Sequence, residues 1–230
     1  MVLRIENLKK IYTETVININ QLSISKGEIV GFVGNNGSGK TTLFRLLLDL
    51  IKPEEGVVYS KGILTKSSDD WKQYTNAFID DSFLVDFLTP DEYFQFIANA
   101  YRVSDRELET VLYTLKDFTS GEIFGGRKLI RDYSLGNRQK IGIIGALITS
   151  PEILILDEPF NFLDPPSLFF IQEYIKKLSN VTTLISGHNI DGITNVANRI
   201  IILEKGEIIK DISKMDVPDI KAEVSNYFSN

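Results

Sequence analysis

The run Gly34-Asn35-Asn36-Gly37-Ser38-Gly39-Lys40-Thr41-Thr42 carries residue types that could hold a chain of phosphates. It fits the spacing G-x-x-x-x-G-K-[ST] of a phosphate-cradling P-loop and follows the apolar stretch Ile29 to Val33 directly. Glycines let the backbone curl until successive N–H groups converge on phosphate oxygens. A helix opening near Gly39 aims its positive dipole end at the same point. Lys40 adds a mobile positive charge, and Thr41 offers a hydroxyl oxygen to Mg²⁺, a hard cation that keeps several waters. These residues predict a nucleoside triphosphate site.

A second group closes the apolar run Ile153-Leu154-Ile155-Leu156 with Asp157 and Glu158. Charges at the end of a buried strand are costly without a partner, and a bound Mg-nucleotide would be that partner. Asp157 would then hold Mg²⁺ through its water shell, and Glu158 would polarise the attacking water as general base. Taken alone, the two acids read better as caps of the next turn; the upstream P-loop reverses that preference in favour of the catalytic reading.

Elements must carry these groups to one place. Val2 to Lys9 and Val16 to Ile24 show β-like alternation ahead of a buried strand over Ile29 to Val33, so an antiparallel element opens the chain. Thr41 to Ile51 has helical spacing and stops before Pro53 and Gly56; strands over Val57 to Tyr59 and Tyr74 to Ile79 follow. From Thr89 to Lys116 the pattern is helical, with Thr89 capping, Pro90 at the first helical position, and Ser104 capping a second segment through Glu107. A helix over Asn137 to Thr149, a strand to Asp157, a helix over Pro165 to Lys177, a strand over Thr182 to Ser186 and a hairpin turning at Lys205-Gly206 complete the pattern. The fold class is α/β: a mostly parallel sheet covered by helices, an antiparallel β element and an inserted α-helical subdomain. The expected division is a core of residues 1–81 and 137–230 around a helical subdomain of residues 82–136.

A chain of 230 residues with 43% hydrophobic content supports one substantial core. Its net charge of −6 argues against nucleic acid as a partner, because phosphate neutralisation needs a basic face. The absence of cysteine excludes disulfides, thiolate metal sites and a cysteine nucleophile. The opening Met1-Val-Leu-Arg-Ile-Glu6 has no secretory pattern, and the most apolar stretches are too short to span a bilayer, so a cytoplasmic location is expected.

With both phosphate motifs in place, the chain resembles the ATP-binding subunits of ABC transporters over nearly its whole length. Tyr133-Ser-Leu-Gly-Asn-Arg-Gln-Lys140 is similar to the family signature, LSGGQ in most members, with Leu135 in place of the first glycine and Asn137 in place of glutamine. The YSLGN form looks like the ATPases of bacitracin and lantibiotic exporters. The resemblance implies that Ser134, Gly136 and Asn137 meet the γ-phosphate of ATP held by a second copy, in a head-to-tail homodimer. Asn161-Phe-Leu-Asp164 resembles the D-loop at that interface, with Asp164 also a good cap before Pro165. It further implies His188 as the switch residue at the γ-phosphate and Tyr12 as the ring stacked on adenine. Where the family has a metal-sensing glutamine, this chain has Asp80-Asp81, either of which could offer Mg²⁺ an oxygen.

ATP and Mg²⁺ are therefore the implied cofactors, and a separate transmembrane permease the implied partner, with the chain peripheral on the inner membrane face. Transport would run outward, as the form of the signature implies. A soluble ABC ATPase serving an assembly or regulatory complex, similar to the iron–sulfur assembly ATPase, is the alternative.

Overall fold

A computed structural model of the chain describes residues 1–13, 15–178, 180–214 and 219–229. Strands β1 (Leu3–Ile11) and β2 (Thr15–Ile24) pair antiparallel; β4 (Glu55–Ser60) and β5 (Ile63–Leu64) extend them into a sheet ordered β2-β1-β4-β5. Leu3, Ile5 and Leu8 are its buried positions on β1, so the period of two slips after Ile5. The cause is a bulge: Glu6 pairs Val57 while Lys9 pairs Glu55, and Asn7 takes φ 49° against Gly56. A Cβ on Gly56 would come within 2.2 Å of the Asn7 carbonyl, so only glycine fits opposite the bulge.

The second sheet is ordered β10-β9-β3-β8-β7-β6, from β3 (Ile29–Val33), β6 (Thr75–Phe78), β7 (Ile153–Leu156), β8 (Thr182–Gly187), β9 (Arg199–Glu204) and β10 (Glu207–Ser213). Every neighbouring pair is parallel except the β9–β10 hairpin. Its inner strands β3, β7, β8 and β9 are largely buried because both faces are covered, while the edge strand β10 alternates exposed and covered positions. Ile153 and Ile155 pack with β1, β2 and helix α1 (Lys40–Leu47), while Leu154 and Leu156 pack on the opposite side among the remaining helices.

Those helices are α2 (Pro90–Tyr101), α3 (Asp105–Thr114), α4 (Leu135–Leu147), α5 (Pro165–Lys177), α6 (Ile190–Thr194) and α7 (Ile220–Ser229). Helices α2 and α3 form the insert between β6 and α4, and each begins on a complete capping box, Thr89 with Glu92 and Ser104 with Glu107. Their apolar faces join the core beneath the parallel sheet through Phe94 and Leu108.

Some expectations shift. Helix α1 ends at Leu47 rather than Ile51, because Asp49 turns left-handed at φ 52° and the Leu50 N–H returns to the Arg45 carbonyl at 2.9 Å. Helix α4 starts at Leu135 rather than Asn137, since Ser134 caps it. Strand β5 and helices α6 and α7 have no counterpart in the sequence reading. Among the described residues no helix is long and apolar enough to cross a membrane.

Candidate nucleotide site

The P-loop joins β3 to α1 and leaves no room at its first glycine. A Cβ on Gly34 would lie 2.2 Å from the Leu203 carbonyl and 2.6 Å from Ser38 Oγ. Gly37 and Gly39 take φ 82° and 105°, the left-handed region that glycine occupies without strain. The hairpin turn clasps the loop from outside: the Gly206 N–H donates to the Ser38 carbonyl and the Asn18 N–H to the Gly206 carbonyl, both at 2.9 Å.

Helices α2 to α6 each begin on a side chain that accepts a first-turn N–H, namely Thr89, Ser104, Ser134, Asp164 and Asn189. Helix α1 does not. Gly39 provides no cap, and its first turn holds no acid. The N–H groups of that turn and the helix dipole are left for an acceptor from outside, which fits a phosphate chain. Lys40 lies in the same cavity of about 190 Å³, together with Gly37, Gly39, Thr41, Thr42 and Glu158. Its side chain is 5% exposed, and its Nζ donates to the carbonyls of Gly34 at 2.7 Å and Asn35 at 3.2 Å. Burial pushes the amine below its usual pKa, against the pull of Glu158 and Asp157.

Strand β7 delivers the acids. Asp157 Oδ2 accepts the Thr41 hydroxyl at 2.5 Å, and Oδ1 accepts the Ser186 hydroxyl. Burial raises the Asp157 pKa, opposed by those two bonds. The paired oxygens of Thr41 and Asp157 suit Mg²⁺. Among the described residues no group of three or more His, Cys, Asp or Glu could hold a metal by itself. The chain then turns left-handed at Glu158, φ 48°, with its N–H donating to Ser186 Oγ at 2.9 Å. Glu158 Oε2 lies 2.9 Å from His188 Nδ1 and accepts Asn161 Nδ2 at 3.2 Å, while Oε1 is 3.9 Å from Lys40 Nζ. The structure thus gathers Lys40, Thr41, Asp157, Glu158 and His188.

Other expected residues stand elsewhere. Ser134 Oγ accepts the Asn137 N–H at 3.3 Å, and Asn137 Nδ2 donates to Glu122. A Cβ on Gly136 would come within 2.5 Å of the Phe162 carbonyl, so the 161–164 loop requires glycine there. None of Ser134, Gly136 and Asn137 lines the P-loop cavity. Asp164 caps α5 through the Ser167 N–H and accepts buried Lys140 Nζ at 2.8 Å, which holds its carboxyl well below the usual carboxylate range. Tyr12 is 57% exposed beyond β1, with Lys10 Nζ 5.2 Å from its ring centre. Asp80 and Asp81 line a neighbouring cavity with Thr41, Asp157 and Glu158, and each faces an arginine.

Ser186, Gln139 and Gly206 escaped the sequence reading. Gln139 donates to the Glu158 carbonyl at 3.0 Å and ties α4 to the turn at Glu158. Ser186 stands two residues before His188, a nearness that could have drawn attention to it. Gly206 announced only a turn.

The family model described as ABC transporter matches residues 17–161. The bacitracin transport ATP-binding protein BcrA of Enterococcus faecalis is 34% identical over 227 residues, covering 92% of this chain and 69% of that protein. The lantibiotic transport ATP-binding protein SrtF of Streptococcus pyogenes is 31% identical, covering 90% and 89%. A solved dimeric structure of the ATP-binding cassette MJ0796 in a post-hydrolysis state, bound to ADP and Pi, superposes with a TM-score of 0.79 at 27% identity, over 92% of this chain and 98% of that one.

Proposed function

The chain belongs to the ABC transporter family as an ATP-hydrolysing, ATP-binding subunit, and from that premise we propose that two copies close head to tail around MgATP to drive a separate membrane permease. The observation that carries the reading is the contrast between the uncapped tip of α1 and the acids of β7 beside it. One offers unpaired donors to phosphate, and the other offers carboxylate oxygens to a metal and to water.

Residues 34–42 cradle the phosphates, with Lys40 on their charge. Thr41 and Asp157 would hold Mg²⁺, which when bound neutralises phosphate charge as the terminal anhydride breaks. Asp80 or Asp81 would add an oxygen from the neighbouring cavity. Glu158 takes the proton of the attacking water, and His188, hydrogen-bonded to its carboxylate, keeps that oxygen aimed at the γ-phosphate. Ser134, Gly136, Asn137 and Asp164 face the nucleotide of the partner copy, and Tyr12 stacks on adenine. Loss of the γ-phosphate removes the charge that bridges the copies, and they reopen.

Residues 82–136 form the unit that passes this motion on, set into a core of residues 1–81 and 137–230. The permease holds the chain at the cytoplasmic face of the membrane, by analogy with relatives named for bacitracin and lantibiotic transport, and transport runs outward, a direction supported by the YSLGN form of the signature alone. No observation favours the soluble assembly ATPase. The test is Glu158→Gln: ATP binding is retained, turnover falls about 10²- to 10⁴-fold, and the dimer persists in light scattering with MgATP. Undiminished turnover would remove Glu158 as base. Co-purification from detergent extracts checks the permease, and an apolar partner chain is the expected result.

A further inference from the structure

Asp80 follows β6 in extended backbone, at φ −158° and ψ 170°, and Asp81 opens a 3-10 turn over Asp81–Phe83. Their two carboxylates go to two different helices. Arg45 of α1 approaches Asp80 Oδ2 at 3.1 Å, and Arg138 of α4 approaches Asp81 Oδ2 at 3.2 Å.

The two arginines sit at different places on their helices. Arg45 is in the last turn of α1, one turn after Thr41. Arg138 is one turn after the cap Ser134 in α4, with its N–H donating to the Ser134 carbonyl at 2.9 Å. A single dipeptide therefore ties the two helices together through one guanidinium on each. Asp80 is held a second time, because its Oδ1 also takes the Ser82 N–H at 2.9 Å and the Ser82 hydroxyl. Arg138 Nε is buried without a hydrogen-bond partner, so among the described residues Asp81 is what orients that guanidinium. Between the arms lies a cavity of about 430 Å³ bordered by Thr41, Leu135, Asp157 and Glu158.

We propose that Asp80-Asp81 is a two-armed ionic yoke that sets the spacing of α1 and α4, and that Arg45 and Arg138 are positioning residues for ATP hydrolysis. Half-exposed pairs of this kind add little to global stability. Their effect is to restrict orientation, since a planar guanidinium bound to a carboxylate fixes the direction of its helix better than apolar contact alone. The kinetic readout rests on the ATPase reading above; the geometric readout does not.

The test is a charge swap. Asp81→Asn and Arg138→Met each lower kcat about three- to fivefold with KM for ATP little changed. Arg138→Lys recovers part of the loss, and Asp81→Arg combined with Arg138→Asp recovers most of it. Because the chain has no cysteine, spin labels at Lys52→Cys, beyond α1, and Arg131→Cys, before α4, report the spacing directly. Their distance distribution is narrow in the parent chain, broadens in each single variant and narrows again in the swap. Single variants that leave both kcat and the distribution unchanged overturn the yoke. So does a swap that stays slow while the Mg²⁺ needed for half-maximal turnover rises, which assigns Asp81 to the metal. A parent chain inactive with MgATP counts against the ATPase reading, and the label distances still decide the yoke.

Discussion

The tips of α1 and α4 are built oppositely. Helix α1 opens from left-handed Gly39 with no side chain on its first N–H groups, whereas α4 opens on Ser134, whose hydroxyl already accepts the Asn137 N–H. A bare tip gives up about 1 kcal/mol of capping energy, and its position next to Lys40 shows what the sacrifice leaves room for. A capped tip is structurally complete in one copy. Its phosphate contact, under the proposed dimer, is added by a second molecule. The bare tip predicts affinity within one chain and the capped tip predicts turnover between two.

The largest effect should come from the bare tip. Lys40→Ala should lower ATP turnover more than about a hundredfold, since among the described residues it removes the only side-chain cation lining the P-loop cavity; steady-state phosphate release measures it. Thr42→Glu sharpens the comparison by placing an acid in the uncapped first turn. It should weaken ATP binding about tenfold, yet stabilise the apo chain by about 0.3–1 kcal/mol through the helix dipole, as read by nucleotide titration and thermal melting. Changes of the same sign would break the argument.

At the capped tip, Gly136→Ala drives a Cβ to 2.5 Å from the Phe162 carbonyl and should cost about 1–3 kcal/mol in urea unfolding. Ser134→Ala should cost about 1 kcal/mol and leave ATP binding by the monomer unchanged. The smallest effect is pH-dependent. Lys140 keeps the Asp164 carboxyl charged in the native state at pH values where the unfolded chain protonates it. This stabilisation is complete above the ordinary carboxylate pKa and fades as pH falls through the folded value. Asp164→Asn should therefore shift the urea midpoint at pH 7, and the shift should shrink below about pH 4.

Features encoded by near neighbours were legible in the sequence. The P-loop, the strand ending in Asp157-Glu158, both capping boxes, Asp164 ahead of Pro165 and the turn at Lys205-Gly206 all lie where spacing placed them. The end of α1 did not, because helical periodicity continues through Leu50 while the backbone reverses at Asp49. Helix α6 escaped because five residues are too few to show a period.

The sequence by itself determined which chemistry is present: glycines where a loop must turn left-handed, a lysine and threonine at a helix start, two acids at a strand end. Local spacing suffices there, since a phosphate-binding turn is closed by residues a few positions apart. Tertiary structure alone decided what surrounds that chemistry. Gly206 meets Val16 across the whole chain, Ser186 joins Asp157 to Glu158, and Asp80 and Asp81 find Arg45 and Arg138 on different helices. Those partners are chosen by strand order and packing, and no short-range pattern records which strands become neighbours when the sheet closes over its core.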